Sequence, residues 1–212
     1  MPEYYVLECQ YKPPVPPKRY ARPYSLKVSA EVRSFRWSIG RIFLAQNKWE
    51  NERPPKEPIE VATEPMPVER YGESNWGFYN ELEWTPIPLF SRRLVDALIK
   101  GGVHNIQTYE TILTNVEGDN PPPRDHYLAV NVIGLIDAAD MEKSIISPGS
   151  KEELYTTDFD SLVIDPKKAM DILMFRLAQN TSAVLVHKRV KEYVDAAGID
   201  TLTWFRPEEW AG

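Results

Sequence analysis

Carboxylates are the side chains whose spacing in this sequence comes nearest to chemistry. The stretch YLAVNVIGLIDAADMEKS, Tyr127 to Ser144, is an apolar run that ends in Asp137, Asp140 and Glu142. Acids delivered at the end of a buried strand can hold a divalent metal or flank a scissile bond. A second group, TTDFDSLVIDPKK, offers Asp158 and Asp160 and then Asp165-Pro166-Lys167, the outline of an acid followed by acid-x-lysine in a metal-dependent nuclease. Two details weigh against catalysis. Pro166 interrupts the strand that would present the second group, and Asp137 and Asp140 stand where aspartate ordinarily builds a turn or caps a helix. A carboxylate-dependent hydrolase using Asp137, Asp140 and Asp158 or Asp160 is the enzymatic alternative.

Other chemistries have less material. The chain has one cysteine, Cys9, and three histidines, His104, His126 and His187, with no HExxH or CxxC spacing, so a zinc site or a thiol-imidazole pair is not indicated. No GxGxxG, GxxxxGK[ST] or GxSxG run occurs, which removes the common phosphate cradles and the nucleophile elbow. Neither a cofactor nor a metal is expected. Cys9 lies in the alternating run YYVLEC as a small buried thiol, and His187, at the start of a helical segment, reads as a surface or capping residue.

These residues must be held by a chain of 212 residues, long enough to bury roughly 70% of its unfolded surface without staples. The amino terminus lacks an export signal and no run approaches 18 apolar residues, so a cytoplasmic location away from membranes is expected. The charge is uneven. Residues 1–70 carry 12 Lys+Arg against 9 Asp+Glu, whereas residues 71–212 carry 13 against 22. The acidic part repels nucleic acid and suits a basic partner.

The first third reads as short strands between proline-rich connections. YYVLEC and VRSFRWSIG alternate with period two, and YKPPVPPKRYARP and NERPPKEPIEVATEPMPVER hold the proline. A proline-rich adaptor that docks through PPVPP is a third functional possibility. From Pro88 onward helices alternate with strands. PLFSRRLVDALIKGGVHNIQTYE and AVLVHKRVKEYVDAAGIDTLTWFR align without a gap at an offset of 96 residues, matching Arg93 to Arg189 and Gly102 to Gly198. Each predicts an amphipathic helix, a glycine suited to a left-handed cap, and a strand. HYLAVNVIGLID predicts one long buried strand, SLVID another, and PKKAMDILMFRLA a helix with an apolar stripe. The expected class is α+β: a mixed or mainly antiparallel sheet with helices packed on it, behind a proline-rich region over residues 1–83.

The order of these pieces over residues 84–207 resembles the immunity proteins of bacterial polymorphic toxin systems, the family numbered eleven among them. The residues that carry the resemblance are Asn131-Val132-Ile133-Gly134, Asp137-Ala138, Asp140, Lys143-Ser144, Phe175-Arg176-Leu177, and Arg189-Val190 through Ala197-Gly198. The resemblance implies a protein that is not an enzyme and that binds and neutralises a cognate toxin domain, basic if that toxin is a nuclease. The surfaces singled out for contact are WGFYNELEW, with Trp76, Tyr79, Glu81, Glu83 and Trp84, and the loop NVEGDNPPPRD, with Glu117, Asp119 and Asp125. Both are rich in acids or aromatic rings.

Overall fold

The computed structural model describes residues 3–9, 25–28, 65–71, 79–84, 87–114, 122–169 and 171–212. Two sheets dominate. The strands are β1 (Tyr4–Cys9), β2 (Ser25–Val28), β3 (Met66–Tyr71), β4 (Leu82–Glu83), β5 (Leu89–Ser91), β6 (Ile106–Thr114), β7 (Tyr127–Val132), β8 (Leu135–Ile136), β9 (Ile145–Ile146), β10 (Phe159–Ser161), β11 (Met174–Leu177), β12 (Val184–His187) and β13 (Leu202–Phe205). Helices α1 (Arg92–Lys100) and α3 (Lys188–Ala196) run nine residues each, α2 (Pro166–Ala169) is a single turn, and Pro207–Glu209 forms a 3-10 turn. The described chain is thus a sheet-rich α+β fold.

One sheet runs β13-β1-β12-β11-β8 and the other β2-β3-β6-β7-β5-β4; β9 and β10 make a separate hairpin. Pairing is antiparallel except between β11 and β8 and between β3 and β6. Chain on both sides of residue 84 enters each sheet: β1 lies between β12 and β13, and β3 pairs with β6.

Alternation along the strands sorts side chains onto two faces. In the five-stranded sheet, Leu7, Met174, Val184 and Val186 join the helix residues Leu94, Leu98, Val190 and Val194 in one core. The opposite face supplies Tyr4, Val6, Phe175, Leu177 and Leu185 to a second core, closed by Phe159, Ala169 and Trp210. Leu82, Phe90, Leu128, Val130 and Val132 of the six-stranded sheet complete the first core, so α1 and α3 lie in a core shared by both sheets. Full burial of the four helix residues contributes about 1.5–3 kcal/mol each.

The helices start where capping chemistry permits. Ser91 caps α1 by accepting from the Leu94 amide at 3.0 Å, and His187 caps α3 through Nδ1, which accepts from the Arg189 amide at 3.1 Å. After each helix a glycine turns left-handed, Gly102 at φ 99° and Gly198 at φ 70°, and β6 and β13 follow.

Three expectations need correction. The segment PKKAMDILMFRLA is not one helix: α2 stops at Ala169, Asp171 takes φ 56°, and Met174–Leu177 continues as a strand buried on both faces. Its apolar spacing suits either period. The second core takes Phe175 and Leu177 on one side of a strand while Met174 joins the first core on the other. HYLAVNVIGLID is not one strand. It bends at Gly134 (φ 130°), so β7 stays in the six-stranded sheet and β8 crosses to the five-stranded one. SLVID supplies only the end of β10 and a lone bridge from Ile164 to Ala139. The run VRSFRWSIG and the tract YKPPVPPKRYARP lie outside the described residues.

Candidate functional site

The segment from Tyr79 to Trp84 enters β4, an edge strand of the six-stranded sheet. Alternation sends Leu82 into the first core and turns Glu83 to the other face, beside Leu89 in the register. Asn80 is buried, and its carbonyl accepts from the Tyr127 hydroxyl at 2.5 Å. Glu81 is only 14% exposed at its side chain; its Oε2 accepts from Ser91 Oγ and its Oε1 lies 3.8 Å from Arg93 Nη1. Burial pushes the Glu83 carboxyl up to about 7 and holds the Tyr127 hydroxyl well above its ordinary value, with Glu83 and Glu81 adding to the second effect.

Trp84 packs against the core. Its ring meets Phe90 edge to face at 5.6 Å, its Nε1 donates to Glu8 Oε2 at 3.0 Å, and the Arg176 guanidinium carbon sits 5.7 Å from the ring centre. Burial raises the Glu8 carboxyl against the lowering effect of its indole bonds to Trp210 and Trp84. Arg176 is 7% exposed and desolvation pulls it down to about 10; its Nη1 donates to the Thr181 carbonyl at 3.0 Å. The side chains of Glu81 and Trp84 are therefore occupied inside the fold as well as lying near its edge.

Asp125 is placed differently. It is 71% exposed at its side chain, its carbonyl accepts from Arg92 Nε at 2.6 Å, and Arg92 also pairs with Glu110. Beside it a cavity of about 310 Å³ is lined by Pro65, Glu110, Thr111, Ile112, Arg124 and Asp125. Trp76, Glu117 and Asp119 lie outside the described residues.

The carboxylates that suggested catalysis are each engaged separately. Asp137 Oδ1 accepts from Gln179 Nε2 and lies 3.6 Å from Lys168 Nζ. Asp140 closes a turn with Lys143, whose ammonium and amide hold the Asp140 carboxyl below its usual range. Asp158 Oδ1 accepts from Asn180 Nδ2 at 3.3 Å, and Asp160 Oδ1 from Ser147 Oγ at 2.5 Å. Among the described residues, no three His, Cys, Asp or Glu side chains stand together as a metal site. No helix among them is long and apolar enough to cross a membrane.

The turn closed by Asp140 follows the Asn131 to Gly134 run, in the order that carried the family resemblance. The model of the Immunity protein family (Imm11) matches residues 52–207. The chain belongs to the Imm11 immunity protein family. The match begins well before residue 84, so the family's region takes in β3 and the approach to β4 as well as the later elements. No curated protein matches the chain. Membership in Imm11 supports an immunity role and, in general terms, a toxin partner.

Several internal residues carried no sequence signal. Glu8 and Tyr127 look like ordinary strand residues, and only the fold brings Glu8 to Trp84 and Tyr127 to Asn80. Arg176 had a weak one: a cation inside the otherwise apolar MFRL.

Proposed function

We propose that this chain is a non-enzymatic immunity protein that binds a cognate toxin domain in the cytoplasm of the producing cell and neutralises it. Family membership over residues 52–207 carries the reading. Either of two physical routes would serve, covering the toxin's active site or holding the toxin away from its working shape. The separate engagement of Asp137, Asp140, Asp158 and Asp160 is compatible with a binding role.

The partner in this reading is basic, as a nuclease would be, because the surplus of acid after residue 70 speeds encounter with a cation by steering. Glu117, Asp119 and Asp125 supply the rim charge. Trp76, Tyr79, Glu81, Glu83 and Trp84 form an approach whose inward side is tied to the core through Trp84 and Ser91. The two helix-glycine-strand units, with Arg93 reaching Gly198 and Arg189 reaching Gly101, serve as the scaffold.

Charge reversal tests this with a candidate toxin domain from a neighbouring reading frame. Replacing Glu117, Asp119 and Asp125 together by lysine slows association about tenfold at low salt and flattens its salt dependence, with dissociation little changed. An unchanged association rate would remove these acids from the encounter. Titration with Mg2+ or Mn2+ gives no binding heat in this account, whereas stoichiometric binding with hydrolysis of a nucleic acid would support catalysis instead.

A further inference from the structure

Most of the large apolar side chains left in water fall in one stretch of the sequence. Among the described residues five are about half exposed: Ile99, Ile145, Leu154, Tyr155 and Tyr193. Ile99 and Tyr193 sit singly on α1 and α3, whereas the other three belong to the β9-β10 hairpin and its connecting loop. Leu154 is 49% and Tyr155 51% exposed, and they are adjacent in sequence.

The loop that displays them is held by many bonds. The Tyr155 amide donates to the Ala178 carbonyl at 2.8 Å and the Thr157 amide to the Gln179 carbonyl at 3.0 Å, which docks the loop on the chain after β11. Thr157 is fully buried, with its hydroxyl within reach of the Lys151 and Glu153 carbonyls at 2.9 and 2.7 Å. Asn180 Nδ2 donates to the Thr157 carbonyl at 3.1 Å, and Ser150 Oγ accepts from the Asp158 amide at 2.7 Å. Tyr155 has φ 76°, a conformation that is an outlier for a bulky side chain and persists only where surrounding contacts over-determine it. Folding alone gives no reason to spend this strain on a tyrosine whose ring is half in water.

The surroundings are strongly acidic. Residues 142–165 hold six Asp+Glu against two lysines, two thirds of the chain's formal net charge of -6 in 24 residues. Glu152, Glu153, Asp158 and Asp160 are all exposed and lie within five residues of the apolar pair in sequence. An aromatic-aliphatic anchor on a hydrogen-bonded loop with mostly acidic neighbours is the arrangement of a protein-protein hot spot, because the loop is ordered before contact and less freedom is lost on binding.

We propose that Leu154 and Tyr155 are the anchor on which a basic protein surface docks, with Glu152, Glu153 and Asp158 contacting its cations. This rests on the immunity reading and gives the toxin its affinity-bearing contact, whereas Glu117, Asp119 and Asp125 act earlier, in the encounter. The required occupant is a folded protein with an apolar hollow ringed by Lys or Arg.

The test measures binding of a candidate toxin domain from a neighbouring reading frame to the full chain and three variants by biolayer interferometry. Leu154→Ala with Tyr155→Ala weakens binding at least 30-fold, chiefly through faster dissociation. Tyr155→Gly, which suits φ 76°, weakens it at least tenfold while the thermal midpoint stays the same or rises. Tyr193→Ala, the exposed tyrosine of α3, leaves affinity unchanged. Wild-type binding with both loop variants equally tight overturns the anchor and leaves the immunity reading standing, as does a loss confined to Tyr193→Ala. A wild-type chain that neither binds nor neutralises the domain overturns both.

Discussion

Arg93 and Arg189, 96 residues apart, each reach the carbonyl that follows the other's helix. Arg93 Nη2 donates to the Gly198 carbonyl, and Arg189 Nη2 lies 3.5 Å from the Gly101 carbonyl. This crossing ties α1 to α3 and puts Arg189 beside Gly102: a Cβ there would stand 2.7 Å from Arg189 Nη2, the far end of a flexible side chain, and 3.1 Å from Leu173 Cδ1, so both must give way. At Gly198 the nearest atom would be 3.9 Å away, on Arg93.

Gly198→Ala therefore loses only the backbone preference, about 1 kcal/mol, while Gly102→Ala loses that and the crowding, about 2–3 kcal/mol. Adding Arg189→Ala to Gly102→Ala recovers part of the excess in urea unfolding. Equal losses at the two glycines would show that φ alone decides.

Glu83 makes stability depend on pH in a defined direction. Its folded carboxyl, at about 7, lies above its ordinary value near 4.5, so the folded state holds the proton more tightly. The stabilisation is complete below pH 4.5, declines as pH rises from there toward 7, and is absent above. Glu83→Gln keeps a neutral polar group and is more stable than the parent at pH 8 by roughly 1–2 kcal/mol, allowing for partial solvation. The two converge near pH 4.5. A pH-independent difference would assign the effect to packing.

Ser91 does two jobs with one hydroxyl, accepting from the Leu94 amide and donating to Glu81 Oε2, and it is fully buried. Ser91→Ala removes the cap and orphans a carboxylate oxygen, costing about 2 kcal/mol. Ser91→Thr keeps the capping hydroxyl and retains most of the stability. Thermal unfolding of both variants separates the hydroxyl's contribution from that of volume.

Much of the first core was legible because its helices follow simple rules. Leu94, Val95, Leu98, Val190 and Val194 have helical spacing, and the histidine at 187 fell at a helix start. The segment around Phe175 was not, since the apolar residues after Pro166 fit both periods and only the burial of Phe175 and Leu177 against Tyr4 and Leu185 selects the strand. The break at Gly134 was hidden for a related reason: β7 and β8 are both fully buried, so hydropathy runs through the point where the chain changes sheets. At the site, residue type pointed to Glu81 and Trp84, but their inward bonds depend on Ser91 and Glu8, which are 10 and 76 residues away in sequence.

Trp84 and Arg176 give a contrast between packing and charge. Trp84→Ala opens space between the sheets and removes the indole bond to Glu8, costing about 2–3 kcal/mol, less than for a fully buried tryptophan. Arg176→Met keeps the stem and removes a desolvated cation, so its cost stays under about 1 kcal/mol. Chemical denaturation ranks the two. A larger loss for Arg176→Met would mean that the guanidinium's bond to Thr181 dominates.

The immunity role is tested most directly by survival. A candidate toxin domain from a neighbouring reading frame is induced in cells that express the chain or an empty vector. The account predicts death with the vector, growth with the chain, and a stable complex of the two proteins on purification. Death despite abundant, folded chain, with no complex formed, would contradict it.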